Sequence, residues 1–140
     1  MFDLPVKSLM ESKKLVMVSS ETTVSEAARL MAGKNTGVVL VVDDQQLVGI
    51  FTERDAVFRV LANGQDALTT RLREVMTTAP STLAPDTSYG HALLLMQENG
   101  FRHVPVVDGD RVLGVIAARN AMDPQLEEFV SEARRREYYR

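Results

Sequence analysis

Thr52-Glu53-Arg54-Asp55 holds the residue types for two kinds of chemistry. A hydroxyl followed three residues later by a carboxylate is the Ser/Thr-x-x-Asp/Glu spacing of a helix cap, in which each side chain satisfies the other's backbone N–H. A helix start capped in this way also favours anions. Arg102-His103 is a second site of interest, a basic pair set in an otherwise apolar stretch. An Arg grips phosphate in bidentate fashion, and a His adds charge when a nearby anion raises its pKa. The plainer reading is that both are strand residues facing solvent. Arg54 and Arg119 stand in matching contexts. They are possible phosphate contacts or ordinary helix-surface charges.

Other chemistries are missing. The chain has no cysteine, which removes thiolate nucleophiles, thiolate metal sites and disulfides together and fits a reducing cytoplasm. Its two histidines, His91 and His103, are far apart and lack evident ligand partners, so no metal site is expected. No Walker A loop, G-x-G-x-x-G or H-E-x-x-H occurs, and no Ser or Asp stands in a triad-like setting. No catalytic residue and no catalytic cofactor is therefore expected, and the chain does not read as an enzyme. A net charge of −3 argues against nucleic-acid binding, despite the terminal cluster Arg134, Arg135, Arg136 and Arg140. No apolar run approaches the roughly 20 residues of a membrane span, and the first residues lack the pattern of a secretory signal. A cytoplasmic location with no membrane association is the expectation.

The elements that must position these residues are written twice. Val41-Val42-Asp43 returns as Val106-Val107-Asp108, and Gly49-Ile50-Phe51 as Gly114-Val115-Ile116. Thr22 and Thr87, Ala27 and Ala92, Met31 and Met96, and Arg54 and Arg119 share the same offset of 65, while Met10 and Met76 pair at 66. A fixed period is the mark of a duplicated unit. Each copy reads as a short strand (Val16-Met17-Val18; Thr82-Leu83), a helix, two strands joined by a turn (Gly37 to Val42 and Leu47 to Phe51; Arg102 to Val107 and Val112 to Ile116), and a second helix (Thr52 to Leu61; Ala117 to Met122). Thr23 with Glu26 gives the first helix a capping box, and Asn99-Gly100 ends its counterpart. The fold class is α+β, with α/β-like units: two β-α-β-β-α repeats about a pseudo-twofold axis, at 1–65 and 66–122, with a polar linker from Asn63 to Thr70. The segment 123–140 predicts an amphipathic helix, striped by Leu126, Phe129, Val130 and Ala133. Its stripe packs either on its own module or on a second copy.

This pattern resembles a tandem of CBS domains, the family named after cystathionine β-synthase. Gly49-Ile50-Phe51-Thr52-Glu53-Arg54-Asp55 and Phe101-Arg102-His103-Val104-Pro105-Val106-Val107-Asp108 carry the resemblance. It implies a stand-alone regulatory module that binds an adenosine-containing ligand such as AMP, ADP or ATP, forms a homodimer and acts on a regulated protein not identified by the sequence. It further implies that Thr52 and Asp55 hold a ribose, in a main cleft completed by Ser81, Thr82, Phe101, Arg102 and His103 of the other repeat. A carboxylate suits this task because it accepts from both ribose hydroxyls. The second cleft would combine Asn120 with Met17, Val18, Thr36, Gly37 and Val38. There Ala117 and Asn120 replace the Thr and Asp, with loss of a hydroxyl and of a charge. One well-equipped cleft per chain is expected.

Overall fold

The computed structural model describes residues 2–118. The segment 123–140, Arg119, Asn120 and most of the expected helix from Ala117 to Met122 lie outside the described residues. The first repeat contains strand β1 (Met17–Val18), helix α1 (Val24–Lys34) and strands β2 (Val38–Asp43) and β3 (Gln46–Thr52). Helix α2 (Glu53–Asp55) runs on as a π-helix over Ala56–Leu61. Helix α3 (Leu72–Val75) and strand β4 (Thr77–Thr78) follow, then helix α4 (Tyr89–Asn99) and strands β5 (His103–Asp108) and β6 (Arg111–Ala117). A 3-10 turn at Val6–Ser8 precedes them all.

The two long helices are built alike. Thr23 Oγ1 accepts from Glu26 N–H at 3.2 Å and Ser88 Oγ from His91 N–H at 3.3 Å, so each N-terminus is capped. Asn35 and Gly100 end the helices in the left-handed region, at φ 51° and 72°. Val24, Ala27 and Met31 are buried on α1, and Tyr89, Ala92 and Met96 on α4, residue for residue at the offset of 65. The β2–β3 and β5–β6 hairpins carry the same irregularity, after Val41 and after Val106.

Strand β2 is buried almost without a break because both of its faces are covered. Val39, Val41 and Phe51 face α1 in the first core, and Val104, Val106 and Ile116 do the same under α4. Val38, Leu40, Ile50 and Val115 form a third cluster, the seam between the two repeats. Each repeat alone would leave this seam in water, a serious loss for a unit of about 60 residues.

The repeats also exchange their edges. Strand β4 adds to β3, and in the second repeat its place is taken by Glu11, which pairs with Val115. Val6 N–H donates to Thr87 O, Tyr89 N–H to Leu4 O, and Val6 is fully buried in the second core. The N-terminal segment therefore packs on the second repeat, while residues near the start of the second repeat close the first. The linker is not a loose tether: Ala67 O and Thr70 O accept from Ser25 and Val24 N–H at the start of α1.

Some boundaries differ from the sequence reading. Thr82-Leu83 forms no strand, only a parallel bridge from Leu83 to Val106. Pro80 and Pro85 flank it and offer no N–H to extend a ladder. Ala117 ends β6 instead of opening a helix.

Candidate functional site

Thr52 is the last residue of β3 and the N-cap of α2. Both halves of the capping box form. Asp55 N–H donates to Thr52 Oγ1 at 3.3 Å, and Asp55 Oδ2 accepts from Thr52 N–H at 2.9 Å and from Thr52 Oγ1 at 3.2 Å. The Asp55 side chain is only 14% exposed, and its other oxygen, Oδ1, lies 3.5 Å from Arg59 Nε. Arg59 Nη1 also donates to Val75 O and Met76 O, both at 3.2 Å, so the π-helix is tied to the α3–β4 segment. The π geometry shows in the bond from Ala62 N–H to Val57 O, five residues back.

Thr52, Arg54, Asp55, Val57 and Phe58 form one wall of a cleft of about 590 Å³ between the repeats. Gly100, Phe101, Arg102 and His103 form the facing wall, and Thr77, Ala79, Pro80 and Ser81 run along the third side. Of the residues assigned to the main cleft from sequence, Thr52, Asp55, Ser81, Phe101, Arg102 and His103 line it, as does Arg54. Thr82 is exposed and does not. Arg54 stacks its guanidinium 4.8 Å from the centroid of the Phe58 ring. Glu53 also borders the cleft, but its carboxyl group packs over Gly37, where a Cβ would lie 2.9 Å from it. That close approach is what Gly37 permits.

Val57, Phe58, Ala79 and Pro80 also line the cleft and were not assigned from sequence. Phe58 and Val57 belong to the π-helix, which leaves them half-exposed. Ala79 and Pro80 follow Met76 in the segment that matches the one after Met10, so the 66-residue offset was the available signal. Ala79 holds φ 46°, a left-handed conformation that costs a non-glycine residue about 1–2 kcal/mol and turns the segment along the cleft.

The residues assigned to the second cleft are dispersed. Thr36 and Val38 line a pocket of about 50 Å³ with Ala117 and His103. Met17 lies instead beside the two hairpin turns, Gly37 beside the α1–α2 groove, and Val18 packs on the first core. Arg119 and Asn120 lie outside the described residues. Among the described residues, no group of three or more His, Cys, Asp or Glu could hold a metal ion, and no helix is long and apolar enough to cross a membrane.

A duplicated unit of helix and β-hairpin, with a cleft lined by residues of both copies, defines a class of paired binding modules. The CBS domain family model matches residues 6–62 and again 72–124, so this chain belongs to the CBS-domain family as a tandem pair. The meiotically up-regulated gene 70 protein of Schizosaccharomyces pombe is 39% identical over 82% of this chain, which spans only 17% of that protein's length. The CBS domain-containing protein YhcV of Bacillus subtilis is 36% identical over 80% of this chain and 79% of its own. Among solved structures, the CBS domain pair of protein MJ0100, in complex with 5′-methylthioadenosine and S-adenosyl-L-methionine, has a TM-score of 0.74 at 28% identity. That similarity covers 83% of this chain and 90% of the other.

Proposed function

We propose that this protein is a regulatory module, not an enzyme, that binds an adenine nucleotide (AMP, ADP or ATP) between its repeats and reports occupancy to a partner protein. One observation carries the reading: a single cleft of about 590 Å³ gathers Thr52 and Asp55 from one repeat with Ser81, Phe101, Arg102 and His103 from the other. A carboxylate has about four acceptor positions, and the cap uses only part of that capacity. Both cap bonds fall on Oδ2, so Oδ1, beside Arg59, keeps an acceptor position for a ribose hydroxyl. Phe101 and Phe58 offer apolar surface to a base, and Arg102 and Arg54 offer charge to phosphates. The MJ0100 pair holds two adenosyl compounds, which supports the base-and-ribose part of this assignment. Because both repeats line the cleft, a ligand that prefers one tilt between them shifts the population toward it. The absence of cysteine is compatible with action in the cytoplasm.

A second reading is a homodimerising interaction module without a small ligand. It is favoured by Val57, Phe58 and Leu61, which leave 50%, 58% and 72% of their surface exposed along the π-helix. Thermal unfolding with millimolar AMP, ADP, ATP, S-adenosylmethionine and NAD separates the two. A ligand at 100 times its Kd adds about 2.7 kcal/mol, a rise of several degrees in a domain of this size. Asp55→Ala is expected to weaken binding at least about tenfold, the effect of losing one charge-assisted contact. No shift with any of the five compounds leaves the interaction module as the better account.

A further inference from the structure

Arg59 touches two walls of the cleft without lining it. Its Nε lies 3.5 Å from Asp55 Oδ1, the oxygen that the cap leaves open. The Asp55 side chain is only 14% exposed, so this is not an ordinary surface pair. Arg54 is nearer in sequence, but its guanidinium is turned onto the Phe58 ring. At its other end Arg59 Nη1 donates to Val75 O and Met76 O, the carbonyls at the end of α3. Met76 O belongs to the peptide bond that leads into Thr77, where the third side of the cleft begins. Thr77 and Thr78 pair with Ile50 and Gly49, and Ala79 N–H donates to Val48 O, so the placement of that peptide is passed on to Ala79. One guanidinium therefore joins the carboxylate on one wall to the backbone of the next.

The plainer role for Arg59 is to satisfy the last carbonyls of a short helix. The duplication argues against that as the whole account. The counterpart of α3 is the turn at Val6–Ser8, and it closes with the equivalent bond: Met10 N–H to Val6 O, as Met76 N–H to Leu72 O. The residue matching Arg59 there is Pro124, which has no side-chain donor. Such a turn thus forms beside a repeat that lacks the arginine. At the offset of 65, Thr52, Asp55 and Arg59 correspond to Ala117, Asn120 and Pro124. The arginine accompanies the Thr and Asp, and all three are replaced together.

We propose that Arg59 is a positioning residue of the cleft, which aims Asp55 at the ribose and passes ribose contact on to the segment from Met76 to Ser81, a role that rests on the adenosine reading. A planar guanidinium engaged at both ends fixes the carboxylate beside it. A hydroxyl that donates to Oδ1 then meets an oxygen already oriented, and less side-chain freedom is lost on binding. By reciprocity, a ligand that gains affinity from this tether strengthens the tether by the same factor. A ligand without ribose hydroxyls gains nothing from it.

Calorimetric titration of AMP and of 2′,3′-dideoxy-AMP into the wild type, Arg59→Met and Arg59→Lys tests this. Met keeps the apolar stem without the donors. Lys keeps the charge without the fork and serves if the first variant misfolds. The wild type is expected to prefer AMP at least about tenfold, the worth of one hydrogen bond to a charged group. In the variants that preference is expected to fall below about threefold, with most of the loss on AMP. AMP is also expected to slow hydrogen exchange at the Thr77–Ala79 amides of the wild type by up to about tenfold, and the dideoxy compound to leave it as it was. Equal losses for the two compounds would make Arg59 a structural brace only and overturn its role, as would an AMP preference kept in full by the variants. A wild type that binds both compounds equally would overturn the ribose contact at Asp55 and this role with it. No binding of either compound would overturn the adenosine reading itself.

Discussion

Tyr89 begins α4 with its side chain fully buried, and its hydroxyl is the one buried side-chain polar atom without a hydrogen-bond partner among the described residues. Its counterpart at the offset of 65 is Val24, so one core holds a phenol where the other holds an isopropyl group. Burial pushes the Tyr89 pKa up to about 12. The unfolded chain, with a phenol near 10, gives up its proton first. Stability is therefore unaffected by this group below about pH 10 and falls as pH rises from there toward about 12. Tyr89→Phe removes an orphaned polar group while keeping the ring. It is expected to stabilise by about 1 kcal/mol, read as a higher urea midpoint at unchanged slope, and to remove this share of the alkaline loss. A lower midpoint would mean that the hydroxyl has a partner in solution. At this scale the sequence was legible where contacts are local. The Thr52–Asp55 cap forms within four residues, and its spacing foretold the geometry. The isolation of Tyr89 was not legible, because it depends on what the N-terminal segment and β5 bring around the ring.

At the scale of elements, the exchange of edges puts two methionines against two glycines. A Cβ on Gly49 would collide with Met76 Sδ, and one on Gly114 would lie 2.8 Å from Met10 Sδ. The two sites differ in their backbone contacts. The nearest backbone oxygen, Thr77 O, is 3.0 Å away at Gly49, whereas Glu11 O is 2.6 Å away at Gly114. A flexible methionine can withdraw, but a paired carbonyl cannot. Glu11 is held to Val115 by two backbone bonds of 2.9 Å. Gly114→Ala is therefore expected to cost about 2–3 kcal/mol and Gly49→Ala about 1 kcal/mol, at the two ends of the range for overpacked cores. Urea unfolding of both variants checks the ranking, and the reverse order would place the strain in the methionines. The offsets of 65 and 66 were visible in the sequence, but not which core each methionine joins. Met10 and Gly114 stand far apart in the chain, and no local pattern records such a pairing. Helix α3 and strand β4 are too short to show a period. The π-helix was equally hidden, because Ala56–Leu61 carries the apolar spacing of an ordinary helix.

Across the whole molecule, the duplication makes a symmetric scaffold whose two clefts are unequal in several respects. Where the main cleft has Phe101, Arg102 and His103, the matching positions are Thr36, Gly37 and Val38. Where it has Thr52, the match is Ala117, and where Asp55 stands the sequence has Asn120. The pocket that Thr36, Val38 and Ala117 line holds about 50 Å³ against about 590 Å³. That is room for little more than a water or two. Glu11, Lys14 and Leu15 occupy the side of this pocket that the uncharged Ala79-Pro80-Ser81 segment takes along the main cleft. A difference spread over size, aromatic surface and charge is not reversed at one wall. Calorimetric titration is therefore expected to give one nucleotide per chain. The double variant Ala117→Thr, Asn120→Asp, which copies the Thr and Asp of the first repeat into the second, is expected to leave that stoichiometry at one. A rise to two would show that the Thr and Asp side chains alone limit the second cleft and that its opposite wall, despite Gly37 and Val38, can open to admit a nucleotide.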